Sequence, residues 1–307
     1  MKYIHDSTQI FNDKECIVVL GNFDGVHIGH QRLLEEARNE SKKNNIQLVV
    51  FSFYPPPTWV LSDKNKKQLI ISREEKVKLM KEHEVDIFIE YPFNKEFAQI
   101  TPQDFIKEIL IYKLKAKIIV IGRNYNFGKE REGTADYLRI IGGQNNIDVK
   151  IVEEVKIHDK VVSSSCIREE ILQGNIKLVN EMLGRNYSIV GKVVHGKKLG
   201  RTIGFPTANL ETVNDMIYPP NGVYVTSVEV KNNTCIGITN IGINPTVSGN
   251  NKTIETNIFN FNQDIYDEYI RIKFYEYIRK EKKFEDINQL KSQIVVDSKY
   301  SQTFFGK

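Results

Sequence analysis

The sequence predicts two successive folds: a doubly wound α/β sheet with a Rossmann-like order over residues 1–184, and a small antiparallel β-barrel with a closing helix over residues 185–307. Three observations predict them. Up to Leu183, short apolar runs alternate with amphipathic segments of helical period, the order expected of parallel βαβ units. Beyond Tyr187 that alternation stops, and short strands joined by glycine and asparagine turns continue until Asp286. Gly174 and Gly184 bracket the last helix of the first half, Ile176 to Leu183, which sets the boundary near Gly184. A chain of 307 residues is long enough for two such domains, each with its own core.

The first strand is Ile17 to Leu20, a continuous aliphatic run behind Cys16 of the kind buried on both faces. It stops at Gly21, where GNFDGVHIGH follows; Gly21 and Gly25 let the backbone turn sharply and approach a ligand. From Gly29 the pattern is helical, with Leu33, Leu34 and Ala37 inward and Arg32, Glu35, Glu36 and Arg38 toward water. A second strand spans Ile46 to Phe53. Tyr54 with Pro55, Pro56 and Pro57 then predicts an extended loop, since proline cannot continue a central strand. Ser72 and Glu75 form a capping box for a helix to about Glu82. Asp86 to Tyr91 is a third strand. Thr101, Pro102 and Asp104 open a helix carrying Phe105, Ile106, Ile109 and Leu110 inward, and Ala116 to Ile121 is a fourth strand. Val161 to Arg168 ends a strand and opens a helix.

In the second half, strands are expected at Ile189 to Val194, Gly222 to Val230, Thr234 to Ile241, Thr253 to Phe259 and Ile270 to Ile278. In the last, Ile270, Ile272 and Phe274 alternate with Arg271, Lys273 and Tyr275, so one face is buried and one is wet. A closing helix from Asp286 to about Val296 presents Ile287, Leu290 and Ile294.

Charge and cysteine content narrow the function classes. Lys plus Arg number 43 against 39 Asp plus Glu, a net charge of +4, with no basic block of the length that binds nucleic acid. Lys64, Lys66 and Lys67, and Lys280, Lys282 and Lys283, read as solvated faces. Three widely spaced cysteines argue against a disulfide framework and suit a reducing cytoplasm. The N-terminus has no apolar signal core and no run reaches the length of a membrane span.

Four stretches carry candidate chemistry. His27 and His30, three apart at a helix start behind a glycine turn, can face one ligand, and a helix N-terminus favours an anion. Histidines without a role, or a metal pair, are the alternatives; only six histidines and no nearby third ligand of zinc type weigh against metal. GRNYNFGKEREG, Gly122 to Gly133, follows a parallel strand, where surface loops and ligand loops both occur. In VVSSSCIR, capping explains the serines but not Arg168. HGKKLGRTIGFPTANL, His195 to Leu210, packs three glycines and three cations into ten residues, which suits either a polyphosphate cradle or a barrel corner. Thr207 and Asn209 are two apart, so in an extended segment their oxygens share a side and can hold Mg²⁺ with substrate phosphates.

GNFDGVHIGH resembles the signature of the HxGH nucleotidyltransferase superfamily in the form used by flavin adenylyltransferases. GRTIGFPTAN, then NGVY at Asn221 to Tyr224, NIGINPTV at Asn240 to Val247 and IETNIFNF at Ile254 to Phe261, resemble riboflavin kinase segments in the same order. Together they span about residues 14 to 300 and are similar to the prokaryotic bifunctional riboflavin kinase / FMN adenylyltransferase (FAD synthetase) family.

The resemblance implies a kinase that phosphorylates riboflavin with ATP to FMN and an adenylyltransferase that turns FMN and ATP into FAD and pyrophosphate. It gives His27 and His30 the ATP phosphates, in a site shared with Gly21, Phe23, Asp24 and Gly29. Asn124 belongs to a family loop in which Tyr125 stands for the first aromatic. Ser164, Ser165 and Arg168 match the element that grips departing pyrophosphate. In the kinase half it places Gly200, Arg201 and Gly204 at ATP, Thr207 and Asn209 at Mg²⁺, and Glu255 as the base that takes the ribityl proton. Pro56 and Asn257 stand where relatives commonly carry His. The partners implied are the small molecules riboflavin, FMN and ATP, with no nucleic acid, no membrane, and weak self-association allowed. A monofunctional adenylyltransferase whose barrel only binds flavin, and a flavin-binding regulator, are the rival readings.

Overall fold

The computed structural model describes residues 1–62, 66–196, 199–231, 233–246 and 249–306. Lys64, Lys197, Lys198 and Val247, named above, lie outside the described residues. The chain forms two compact units, Met1–Ser164 and Ser165–Lys307, divided earlier in the chain than Gly184. Among the described residues, no helix is long and apolar enough to cross a membrane.

In the first unit six strands form one sheet: β1 (Lys2–His5), β2 (Cys16–Leu20), β3 (Gln47–Tyr54), β4 (Ile87–Pro92), β5 (Ala116–Gly122) and β6 (Asp148–Val152). Their order is β1-β4-β3-β2-β5-β6, and every pairing is parallel. From β2 the chain steps outward to β3 and β4, then returns to the other flank of β2 for β5 and β6. That reversal makes a switch point between β2 and β5, and in open parallel sheets ligands bind beyond the carboxyl ends of the strands at such a point. Val19 lies opposite Val120, so the segments that start at Gly21 and Gly122 leave the same edge.

The centre of the sheet follows from its sequence. All five residues of β2 are buried, as a continuous aliphatic run requires in a strand covered on both faces. Cys16, Val18 and Leu20 join Val49, Phe51, Ile89, Tyr91, Ile119 and Ile121 in one core. The side chains of that core come also from Phe105, Ile106, Ile109 and Leu110, the four expected inward. Helix α1 (Ile28–Asn44) packs over β2, β3 and β5, burying Leu33, Leu34 and Ala37. Helix α2 (Arg73–Glu82) starts as its capping box directs, Ser72 Oγ accepting from the Glu75 N–H.

Several elements differ from the sequence reading. Helix α3, opened by Thr101, runs Pro102–Asp104 and then continues as a π-helix over Phe105–Lys113, the Leu114 N–H reaching the Ile109 carbonyl. The three prolines do not give a wholly extended loop, because Pro57 opens a short helix to Leu61; proline suits a first helical position as well as it disrupts a strand. β1, helix α4 (Ala135–Gln144) and β6 lacked a clear signal. Gly142 and Gly143 depress the helical pattern of α4, and β6 is a half-exposed edge strand.

The second unit begins with helices α5 (Ser164–Gln173, whose first residue closes the first unit) and α6 (Ile176–Leu183), the latter capped by Gly184 in the left-handed region. Then come β7 (Ser188–Val194), β8 (Ala208–Leu210), β9 (Gly222–Val230), β10 (Asn233–Thr246), β11 (Gly249–Ile258) and β12 (Tyr269–Arg279). They close into a barrel in the order β7-β8-β11-β10-β9-β12, antiparallel throughout. Closure removes both sheet edges. Inside, the buried hydroxyls of Thr226, Thr239 and Thr256 form a row, 2.9 and 2.8 Å apart.

Helix α7 (Ile287–Phe304) closes the unit and is longer than the apolar period suggests. Beyond Ile294 its inward positions are polar: Asp297 takes a forked pair of bonds from Arg279, and Ser301 Oγ donates to the Gly237 carbonyl at 3.0 Å. An inward stripe that changes from aliphatic to hydrogen-bonding hides the end of a helix from hydrophobic periodicity.

Candidate active sites

At the switch point, the turn after β2 is held in an unusual backbone shape. Phe23, Gly25 and Val26 all have positive φ, at 53°, 84° and 39°, costly for Phe and more so for β-branched Val. Side chains hold it there. Asp24, 6 % exposed, accepts the Ile70 N–H on Oδ1 at 3.0 Å. The Ser164 hydroxyl donates to the Asp24 carbonyl at 2.8 Å, Gln31 Nε2 to the Val26 carbonyl at 2.9 Å, and Ser52 Oγ to the Asn22 carbonyl at 3.2 Å. Ile70, Ser52 and Gln31 escaped the sequence reading because nothing local marks a residue that braces a distant turn.

The two histidines come together. His27 caps α1, its Nδ1 accepting the His30 N–H at 3.3 Å. An accepting Nδ1 leaves the proton on Nε2, so Nε2 is the donating atom of that ring. The His27 and His30 rings stack with centroids 3.6 Å apart, and Phe23 lies 4.9 Å from His30. Gly29 allows this, since a Cβ there would sit 3.1 Å from the His27 ring. No acidic residue occupies the first turn of α1, and the Asp24 carboxylate of the preceding turn is engaged by the Ile70 N–H, so the positive helix end remains a favourable place for an anion. The turn can therefore hold an anion.

On the neighbouring segment, Asn124 donates to Glu154 Oε1, and Arg123 pairs with Glu153 at 2.8 Å. Gly128 and Gly133 pack this segment down: a Cβ at either would strike Pro102 or Phe127 within about 2.8 Å. Ser164 closes the first unit, whereas Ser165 and Arg168 lie in the second, on α5.

In the barrel, the glycine-rich segment folds tightly on its own backbone. A Cβ on Gly200 would fall 2.3 Å from the Phe205 carbonyl oxygen, and the Phe205 N–H donates to Gly200 O at 2.8 Å. Gly204 has φ +86°, and a Cβ on Gly196 would overlap the Asn209 amide. Arg201 and Thr207 line a cavity of about 440 Å³ with Pro206, Thr256, Phe261 and Tyr266 among its walls. Asn209 sits outside that lining, as the direct cross-strand partner of Glu255, which in turn lies opposite Asn240. Thr239 and Thr256 point into the barrel, so Asn209, Glu255 and Asn240 form a row on its outer face. Asn257 ties this wall to the glycine segment, its Nδ2 donating to the Pro206 carbonyl at 2.7 Å.

A glycine turn with two stacked histidines at a switch point in one unit, and in the other a barrel with a tight glycine segment next to the pair of Asn209 and Glu255, are parts that suit an enzyme transferring phosphoryl or nucleotidyl groups. Comparison with known proteins agrees. Residues 9–166 match the FAD synthetase family and residues 183–305 the riboflavin kinase family. A bifunctional riboflavin kinase/FMN adenylyltransferase of Buchnera aphidicola (from Schizaphis graminum) is 38 % identical, over 99 % of this chain and 97 % of its own. Enzymes of the same name from Bacillus subtilis and Escherichia coli are 37 % and 33 % identical, over 95 % and 99 % of this chain and 93 % and 96 % of theirs. A solved Streptococcus pneumoniae structure described as a macrolide-efflux protein superposes with TM-score 0.90 at 34 % identity, over 98 % of this chain and 99 % of that one. The chain belongs to the bifunctional riboflavin kinase/FMN adenylyltransferase family. It is an enzyme with both activities: ATP-dependent phosphorylation of riboflavin to FMN, and adenylylation of FMN with ATP to FAD and pyrophosphate.

Proposed function

We propose that the two reactions use separate sites, adenylyl transfer the turn after β2 within residues 1–184 and riboflavin phosphorylation the barrel within residues 185–307. The observation that supports this reading is that each unit has its own glycine-punctuated segment beside candidate chemistry, the turn with the stacked His27 and His30 in one and the segment over residues 199–206 next to the pair of Asn209 and Glu255 in the other. In the first, His27 donates from Nε2 to the phosphates of ATP, with His30 beside it and the positive N-terminal end of α1 behind both. Such fixed donors act where charge develops, without reorganising. The family resemblance assigns Ser165 and Arg168 to the leaving pyrophosphate and Asn124 to ATP; Ser164, already bonded to Asp24, also holds the turn in shape.

In the second, the cavity lined by Arg201 and Thr207 takes ATP, with Gly200 and Gly204 letting the backbone close on its phosphates. Glu255 accepts the proton of the ribityl hydroxyl as it attacks the terminal phosphate. Thr207 and Asn209 offer neutral oxygen donors. In this reading Mg²⁺ is shared between these donors and the substrate phosphates, as its chemistry favours. When bound, it offsets charge on those phosphate oxygens. Cys16, Cys166 and Cys235 form no disulfide among the described residues, in keeping with a reducing cytoplasm.

Purified chain incubated with riboflavin, ATP and Mg²⁺ tests the reading. FAD and pyrophosphate appearing through FMN support it. FMN alone leaves the histidine turn without its reaction, and riboflavin bound but unchanged removes both sites.

A further inference from the structure

A polar cluster at the outer face of the barrel has no part in either reaction as assigned above. Glu281, exposed just past β12, accepts from Asn240 Nδ2 at 3.5 Å and from Asn221 Nδ2 at 3.3 Å. Lys252, half-buried, donates from Nζ to Asn221 Oδ1 at 2.7 Å and to the Pro219 carbonyl at 3.3 Å. Burial lowers the Lys252 pKa, and Glu281 pulls the other way. The carboxylate can lie here because residue 242 is glycine: a Cβ at Gly242 would be 2.6 Å from Glu281 Oε1.

Its position ties it to the kinase chemistry. Asn240 is the direct cross-strand partner of Glu255, and directly paired residues stand about 5 Å apart at Cα with side chains on one face. The cluster thus begins one strand from Glu255 and extends away from it. Its bonds to Glu281 are at the long end of the hydrogen-bond range, so a ligand hydroxyl can exchange with them. Two amides and a carboxylate present donors and acceptors side by side, the arrangement that reads a run of hydroxyls. A phosphate would meet the carboxylate, and a bare aromatic ring would offer these groups no partner.

We propose that Glu281, with Asn221 and Asn240, seats the inner ribityl hydroxyls of riboflavin, and that Lys252 positions Asn221 for that task. This deepens the kinase reading and rests on Glu255 as its base. With the terminal hydroxyl at Glu255, the rest of the polyol runs over Asn240 to Glu281 and the ring lies beyond.

Glu281→Gln and Glu281→Ala in the full chain test it, with riboflavin and ATP varied separately in the FMN-forming assay. The KM for riboflavin rises about tenfold in the Gln variant and further in the Ala variant, the loss of a charge-assisted hydrogen bond. The KM for ATP and FAD formation from supplied FMN stay at the parent value. A flavin ring bearing methyl in place of the ribityl chain inhibits parent and variants equally. An unchanged riboflavin KM in both variants overturns the proposal, as does a joint rise in both KM values, which marks a structural role. Glu255→Gln separates this from the base assignment: normal turnover there, with the riboflavin KM still raised in the Glu281 variants, leaves the polyol seat standing and removes only the base.

Discussion

Asn209 and Glu255 face each other directly across β8 and β11, with Asn240 on the far side of Glu255. The oxygen donor assigned to Mg²⁺ and the carboxylate assigned to proton transfer are therefore held side by side on rigid strands, where geometry varies less than on a loop. Glu255→Gln keeps the shape and removes the base. FMN formation is expected to fall by roughly two to four powers of ten, the range of general-base catalysis, with ATP binding unchanged by calorimetry. Turnover within a few-fold of the parent would leave Glu255 as a strand residue only.

Gly200 makes a prediction about the phosphate segment. The Phe205 carbonyl occupies the space a Cβ would take, at 2.3 Å, and is backbone that cannot rotate away. Gly200→Ala shifts the segment by an appreciable fraction of an ångström, so FMN formation drops about a hundredfold with a raised KM for ATP. FAD formation from supplied FMN is the control and remains at the parent rate.

Glu90 predicts a pH dependence of stability. Its carboxylate is fully buried and accepts from Tyr3 at 2.5 Å, Arg73 at 2.6 Å and Lys76 at 3.0 Å. Burial pushes its pKa up, but Lys76, Tyr3 and Arg73 outweigh that and hold it below the ordinary 4.5. A depressed folded pKa gives stability that is full above the unfolded value and lost as pH falls through the folded one. Glu90→Gln leaves the buried Lys76 ammonium without its carboxylate and Arg73 with only Asp6, costing about 3 kcal/mol at pH 7. Melting of parent and variant should differ most above about pH 5 and converge in acid.

Asp297 predicts what fastens α7. It is 2 % exposed in its side chain and takes the Arg279 guanidinium in a fork, Nη2 to Oδ2 at 2.7 Å. Asp297→Ala strands that guanidinium and costs about 3 kcal/mol, seen as an earlier thermal transition with FAD formation from FMN unaltered below it.

Much of this was legible in the sequence where local chemistry decides the outcome. The β2 run, the Ser72 cap, the α6 helix and the alternation in β12 each carry their structure in neighbouring residues. The histidine stack was legible as two residues three apart behind a glycine turn. What escaped notice depends on distant partners. The brace from Ile70 to Asp24 joins residues that no spacing connects, α7 extends past its apolar stripe because Asp297 and Ser301 bond to the barrel, and Glu281 gains meaning only when strand register places Asn240 beside Glu255. Sequence period reports which face is apolar, not which polar pairs will meet across a sheet.

The central claim, two independent sites in one chain with FMN passing between the reactions, is tested most directly by mixing two disabled variants. His27→Ala with His30→Ala should convert riboflavin to FMN and stop there, and Glu255→Gln should make FAD only from supplied FMN. Mixed together with riboflavin, ATP and Mg²⁺, the two folded variants are predicted to form FAD at a rate that grows with the concentration of each. FAD from riboflavin by the double-histidine variant alone, or none from the mixture while FMN accumulates, would contradict the account.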